Sequence, residues 1–77
     1  MMTKITLEDK GQDLLWFRVN ESGFVEEAGP FQHDLWQGAY IPLSLAQIGK
    51  PCPIHSHPHI IYGCLKYNVE SIEEEAI

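Results

Sequence analysis

Residues 13–28, DLLWFRVNESGFVEEA, decide the fold because they encode a β-hairpin. Residues 13–19 are the most apolar segment of the chain. If this segment is extended, alternate side chains point to opposite faces. One face then carries Leu15, Phe17 and Val19, and the other carries Leu14 and Trp16. A strand that is apolar on both faces is usually covered on both sides, so we expect something to pack on each face.

The turn and the returning strand follow directly. Residues 20–23, NESG, suit a tight turn because Asn and Gly tolerate positive φ. Residues 24–28 return as the second strand of the hairpin. Gly29-Pro30 ends that strand, since proline has no N–H to donate to the ladder.

The rest of the chain is divided into short segments by frequent Gly and Pro residues, which favour strands over helices. Residues 3–8 alternate and predict a half-buried strand at a sheet edge. The other predicted elements are a short strand over 35–41, one helical turn within 42–48 with Ser44 as N-cap, an extended proline-rich loop over 49–58, and a long alternating strand over 60–72. Residues 73–77 are predicted to form a frayed acidic tail.

Together these elements predict an all-β fold in one small domain, residues 1–77. About five short strands are too few for two full sheets, but they can close on themselves and so remove exposed edges. We therefore expect a small, strongly bent barrel with at most one short helical turn.

This order of short strands, with a helical turn before a final alternating strand, resembles an SH3-like barrel. The pattern Leu-x-Tyr-x-Val-Glu-x-Ile at residues 65–72 is also similar to the end of small uncharacterised proteins of bacterial or phage origin. The resemblance implies an SH3-like barrel fold and a phage or prophage origin. It carries no catalytic or binding residues.

Charge and composition narrow the range of partners. The chain holds eleven acidic and five basic residues, for a formal charge of −6. Such a chain is repelled by nucleic acid and by anionic lipid, so we expect no direct nucleic-acid binding and no membrane association. No apolar run is long enough to span a bilayer, and two cysteines do not make a disulfide scaffold. The expected location is the cytoplasm.

Segment 52–64, CPIHSHPHIIYGC, concentrates zinc-type ligands. Zinc takes thiolate sulfur and imidazole nitrogen in tetrahedral sets. The candidate ligands are Cys52, His55, His57, His59 and Cys64. Their spacing matches no common zinc-finger pattern, and all lie in one stiff segment. A solvated histidine-rich loop is the alternative, and we expect that folding requires no cofactor.

The interface candidates are Leu14 and three large aromatic residues, Trp16, Trp36 and Tyr40. Aromatic side chains dominate small cores, but a small barrel has only one interior. The face with Leu14 and Trp16 must therefore be covered by a loop, for which 49–58 is long enough, by the helical turn or by another chain.

The leading hypothesis is a non-catalytic domain that binds another protein, including a second copy of itself as a homodimer. No nucleophile elbow or phosphate loop is present, so enzymatic activity is not expected. The alternatives are a zinc-binding module that uses segment 52–64, and an acidic inhibitor that imitates nucleic acid and blocks a DNA-binding protein.

Overall fold

The protein is all-β in a computed structural model that describes residues 1–8, 15–29, 36–55 and 63–75. Within these ranges there are five antiparallel strands and one short 3-10 turn. They are β1 (Met2–Leu7), β2 (Trp16–Val19), β3 (Val25–Gly29), β4 (Pro51–Ile54) and β5 (Gly63–Glu75), with the 3-10 turn at Leu43–Leu45. The strand order is β3-β2-β1-β5-β4 in a curled half-barrel. The predicted five-stranded all-β fold is confirmed.

The hairpin predicted over residues 13–28 is present and consists of β2 and β3. Asn20 organises its turn, since Oδ1 accepts hydrogen bonds from the N–H groups of Ser22 (2.9 Å) and Phe24 (3.0 Å). Gly23 follows with a φ of 92°, a conformation that L side chains rarely adopt. Turn chemistry therefore fixes the register of the hairpin.

The concave face of the sheet holds the core. Ile5 and Leu7 from β1 lie beside Phe17 and Val19 from β2, and all four side chains are fully buried. In β2, the buried Phe17 and Val19 share the face predicted for them together with Leu15. The remaining core residues are Val25, Ala28, Ala39, Ile41, Cys52, Ile54 and Val69.

Residues 39–41 join the two ends of the curled sheet. On one side the N–H of Ile41 donates to the carbonyl of Gly23 (2.7 Å), next to β3. On the other side Tyr40 and His55 exchange two backbone hydrogen bonds of 2.7 Å, just beyond β4. Tyr40 is thereby fixed between the first and the last strand of the sheet order.

Two predictions about strand position were wrong. β1 is central, because it pairs with β2 and β5, whereas an edge position was predicted from its solvated face. The proline-rich segment 49–58 was predicted to be a loop, yet Pro51–Ile54 forms β4. β4 is the last strand of the sheet order, where a strand tolerates missing N–H donors.

Three local predictions also need correction. Glu73, Glu74 and Glu75 are not a frayed tail, because they pair with β1 at the end of β5. The 3-10 turn is capped at Pro42 without a side-chain hydrogen bond, so Ser44 is not its N-cap. The strand predicted over 35–41 is reduced, in the part described, to a turn at 36–38 and a single bridge pair at Tyr40 on each side.

Candidate functional site

Three ring side chains line up on the surface where residues 39–41 join the sheet ends. Phe24 pairs with Tyr40, and Tyr40 pairs with His55, in consecutive antiparallel bridges. The ring centroids of Phe24 and Tyr40 are 5.4 Å apart, and those of Tyr40 and His55 are 6.0 Å apart. Phe24, Tyr40 and His55 are called the aromatic row from here on.

Phe24 and Tyr40 of the aromatic row face solvent, unlike most large apolar residues in the part of the chain that the structure describes. Phe24 is 45% exposed and Tyr40 is 38% exposed. Their neighbours Val25, Ala39 and Ile41 point inward and are buried, so strand alternation turns the row outward. Pairing across strands gives the row a structural role as well, because cross-strand aromatic pairs stabilise a sheet.

Gly23 supports the middle of the row. A Cβ atom at this position would lie 2.7 Å from Cε1 of Tyr40 and 2.9 Å from the carbonyl oxygen of Ile41. The tyrosine ring therefore packs directly on the backbone of the hairpin turn. Any larger residue at position 23 would push the ring away and would also strain the positive φ.

A shallow cleft of about 200 Å³ lies beside the row, and Tyr40 forms one of its walls. Its other lining residues are Glu21, Ser22, Gly23, Leu43 and Ser44. The lining combines one aromatic ring and one aliphatic side chain with hydroxyl groups and one carboxylate. Such a mixture suits a peptide side chain better than a buried small molecule, because small-molecule sites are deeper and more apolar.

Trp16, predicted as an interface residue, lies on the convex face of the sheet. Its ring covers Gly29 on the neighbouring strand, where a Cβ atom would come within 2.2 Å of Cε2. The Lys4 ammonium lies 5.2 Å from the ring centroid, and the Arg18 guanidinium carbon lies 5.0 Å from it. Neighbouring strands therefore already cover much of this ring. Its partner in the prediction, Leu14, lies outside the described residues.

Trp36 and Tyr40, the other two interface candidates, occupy different environments. Trp36 is partly buried and packs edge-on against Phe17, with ring centroids 5.8 Å apart. Tyr40 stands at the centre of the aromatic row. The structure thus brings Tyr40 together with Phe24 and His55, and places Trp36 against the core.

The described candidate zinc ligands lie in different environments. Cys52 is fully buried in the core, whereas Cys64 is exposed on β5. His55 belongs to the aromatic row, and His57 and His59 lie outside the described residues. Within the described ranges, no group of three or more His, Cys, Asp or Glu residues is placed to hold a metal ion.

Burial makes Cys52 a poor metal ligand and a poor nucleophile. Desolvation, together with a smaller contribution from the neighbouring Cys64, raises the pKa of its thiol to about 12. The thiolate is the form that binds zinc and attacks electrophiles, and burial disfavours it. Cys52 therefore acts as a small apolar core residue.

Three of the described acidic side chains, those of Glu21, Glu27 and Glu75, form ion pairs with basic groups. Arg18 donates to Glu27 (2.7 Å) and to Glu75 (3.1 Å), and these hydrogen bonds raise the pKa of the guanidinium. Glu21 accepts from the Met1 ammonium at 2.9 Å, which lowers the pKa of its carboxyl. Across the sheet, the neighbouring basic residues Arg18 and Lys4 lie between Glu27 on β3 and Glu73 on β5. This mixed pattern does not favour the nucleic-acid mimic hypothesis, which stays a prediction.

Sequence reasoning missed two members of the site, Phe24 and His55. Phe24 was assigned only to a returning strand, although its parity opposite to the buried Val25 signals an outward ring. His55 was considered only as a metal ligand.

No family model matches the chain, and no curated protein or solved structure matches it either. No helix among the described residues is long and apolar enough to cross a membrane.

Proposed function

We propose that the protein is a small non-catalytic domain that binds another protein through the aromatic row and the adjoining cleft. The observation that supports it is the exposure of Phe24 and Tyr40 side by side, with their ring centroids 5.4 Å apart, whereas Phe17 on β2 is fully buried. Exposed aromatic residues held in fixed positions are typical of binding surfaces, because they offer apolar area at little entropic cost.

The size of the row sets the scale of the interaction. Phe24 and Tyr40 together leave on the order of 170 Å² exposed, taking about 200 Å² for each whole side chain. Covering that area contributes roughly 4 kcal/mol at about 25 cal/mol/Å², before the entropy cost of association. Stable interfaces between folded proteins bury roughly 1,200–2,000 Å², so the row fits a small and weak contact.

Selection from a random peptide library tests the proposal. The full chain is immobilised and exposed to displayed linear peptides of about seven residues, roughly twice the length that spans the row. We expect wild-type protein to select peptides, and Phe24→Ser to lose them.

The matched control is Ile48→Ser. Ile48 is 64% exposed and is absent from both the row and the cleft, so this variant loses apolar surface elsewhere. Thermal melting monitored by circular dichroism confirms that each variant is folded. Equal binding by Phe24→Ser and wild type, or no selection at all, contradicts the proposal.

A further inference from the structure

The dimensions of the site indicate what kind of segment it accommodates. The centroid distances of 5.4 and 6.0 Å make the aromatic row at most about 11 Å long. An extended chain advances about 3.3 Å per residue, so three to four residues span the row. A helix of the same length has only two turns and needs a longer groove to hold it. The shape of the surface therefore favours an extended segment.

The charge of the cleft further limits which kind of segment can bind there. Among the described residues that line the cleft, Glu21 is the one charged side chain. Its carboxylate already binds an ammonium group, that of Met1, at 2.9 Å. The side chain of Glu21 is 78% exposed, so a ligand cation has access to it from solvent. Next to it, the exposed faces of Phe24 and Tyr40 offer the negative ring surface on which Lys and Arg side chains pack.

The same charges disfavour a second copy of this chain as the occupant. Each copy has a formal charge of −6, so two copies repel each other on approach. Of the four Lys and Arg residues described, Arg18 is engaged by Glu27 and Glu75, and Lys4 lies over the Trp16 ring on the convex face. The other two, Lys50 and Lys66, are exposed outside the cleft lining. A positively charged partner gains from the charge that a second copy has to overcome.

We infer that the aromatic row and its cleft bind a short, extended, positively charged segment of a partner protein, with a Lys or Arg of that segment paired to Glu21. This inference rests on the proposed function and adds the sign of the partner's charge and its extended conformation. The segment lies across Phe24 and Tyr40 with its side chains packed on the rings, and its basic group enters the cleft.

Peptides selected by the wild-type chain from the random library are the probes for this inference. We expect them to be enriched in Lys or Arg relative to the starting library. Glu21→Gln is expected to weaken binding of a selected peptide about two- to fivefold, the effect of one exposed ion pair. Glu70→Gln changes the net charge equally at an exposed position of β5 outside the cleft lining, and is expected to change the affinity less than about 1.5-fold.

The outcomes separate this inference from the proposed function. Selected peptides without basic residues, or equal effects of Glu21→Gln and Glu70→Gln, overturn the inference. If Phe24→Ser still abolishes binding in that case, the proposed function stands. Selection of no peptide overturns both. Self-association of the chain that is lost in Phe24→Ser overturns the basic partner and replaces it with a second copy.

Discussion

Gly29→Ala tests how the convex face of the sheet is covered. Gly29 pairs with Trp16 across β2 and β3, and the tryptophan ring lies on the glycine. A Cβ atom at position 29 would come within 2.2 Å of Cε2 and Cζ2 of that ring. No atoms approach so closely, so the ring must swing outward and lose its contact with the sheet.

Two opposing effects determine how much Gly29→Ala changes the free energy of unfolding. Forcing the methyl group into a packed site costs about 1–3 kcal/mol. Gly29 has no positive φ, so replacing it with Ala also restricts the unfolded chain and stabilises the protein by about 0.4–1 kcal/mol. We expect a net loss of about 1–2 kcal/mol, which lowers the Tm of a domain of this size by about 4–16 °C.

A double-mutant cycle isolates the contact between the methyl group and the ring. In the Trp16→Ala background the obstruction is gone, so Gly29→Ala is expected to be neutral or slightly stabilising. Urea and thermal unfolding of the four proteins, followed by far-UV circular dichroism, give the coupling free energy. A neutral Gly29→Ala in the wild-type background refutes the reasoning, because it means that Trp16 does not rest on Gly29.

The remaining predictions concern reactivity, pH, the core and metal. In the native state we expect only the exposed Cys64 thiol to react rapidly with a thiol reagent near pH 8, because burial raises the pKa of the Cys52 thiol to about 12. Both thiols react in denaturant, and two thiols that react rapidly in the native state contradict the prediction. The Met1 ammonium lowers the pKa of Glu21, so the ion pair stabilises the fold above the pKa of the unfolded chain, and this contribution is lost as the pH falls through the lower folded pKa. An NMR titration checks this, and a Glu21 carboxyl that titrates as in an unfolded chain opposes it. Phe17→Ala removes a fully buried ring and is expected to lower the free energy of unfolding by about 3–5 kcal/mol, a large part of the roughly 4–12 kcal/mol typical of a chain of this length. Urea unfolding measures this change, and a loss below about 1 kcal/mol disproves the burial. A chelator is expected to move the Tm by less than about 2 °C, whereas a fall of about 10 °C or more indicates a structural metal.

Local chemistry made the hairpin predictable from sequence. The alternation over residues 15–19 predicted which side chains of β2 share a face, and the Asn and Gly of residues 20–23 predicted the turn. Both signals act over a few residues. The long final strand was predicted for the same reason, although its acidic end was not recognised as paired.

Long-range pairing explains what the sequence did not reveal. β1 pairs with β5 across almost the whole chain, and nothing in residues 2–7 specifies that they have two neighbours. Pro51 and Pro53 argued for a loop, but a strand at the end of the sheet order accepts them. The aromatic row draws on three segments that are well separated in sequence, so only the registers at Tyr40 bring its members together.

The most direct test of the account is a map of which surface a selected peptide contacts. Amide and side-chain NMR signals of the full chain are followed as the peptide is added. The account predicts that the changes concentrate at Phe24, Tyr40 and the cleft, with the indole signal of Trp16 unaffected. Changes centred on Trp16 and the convex face, with the aromatic row unmoved, contradict the account and favour the Trp16 interface instead.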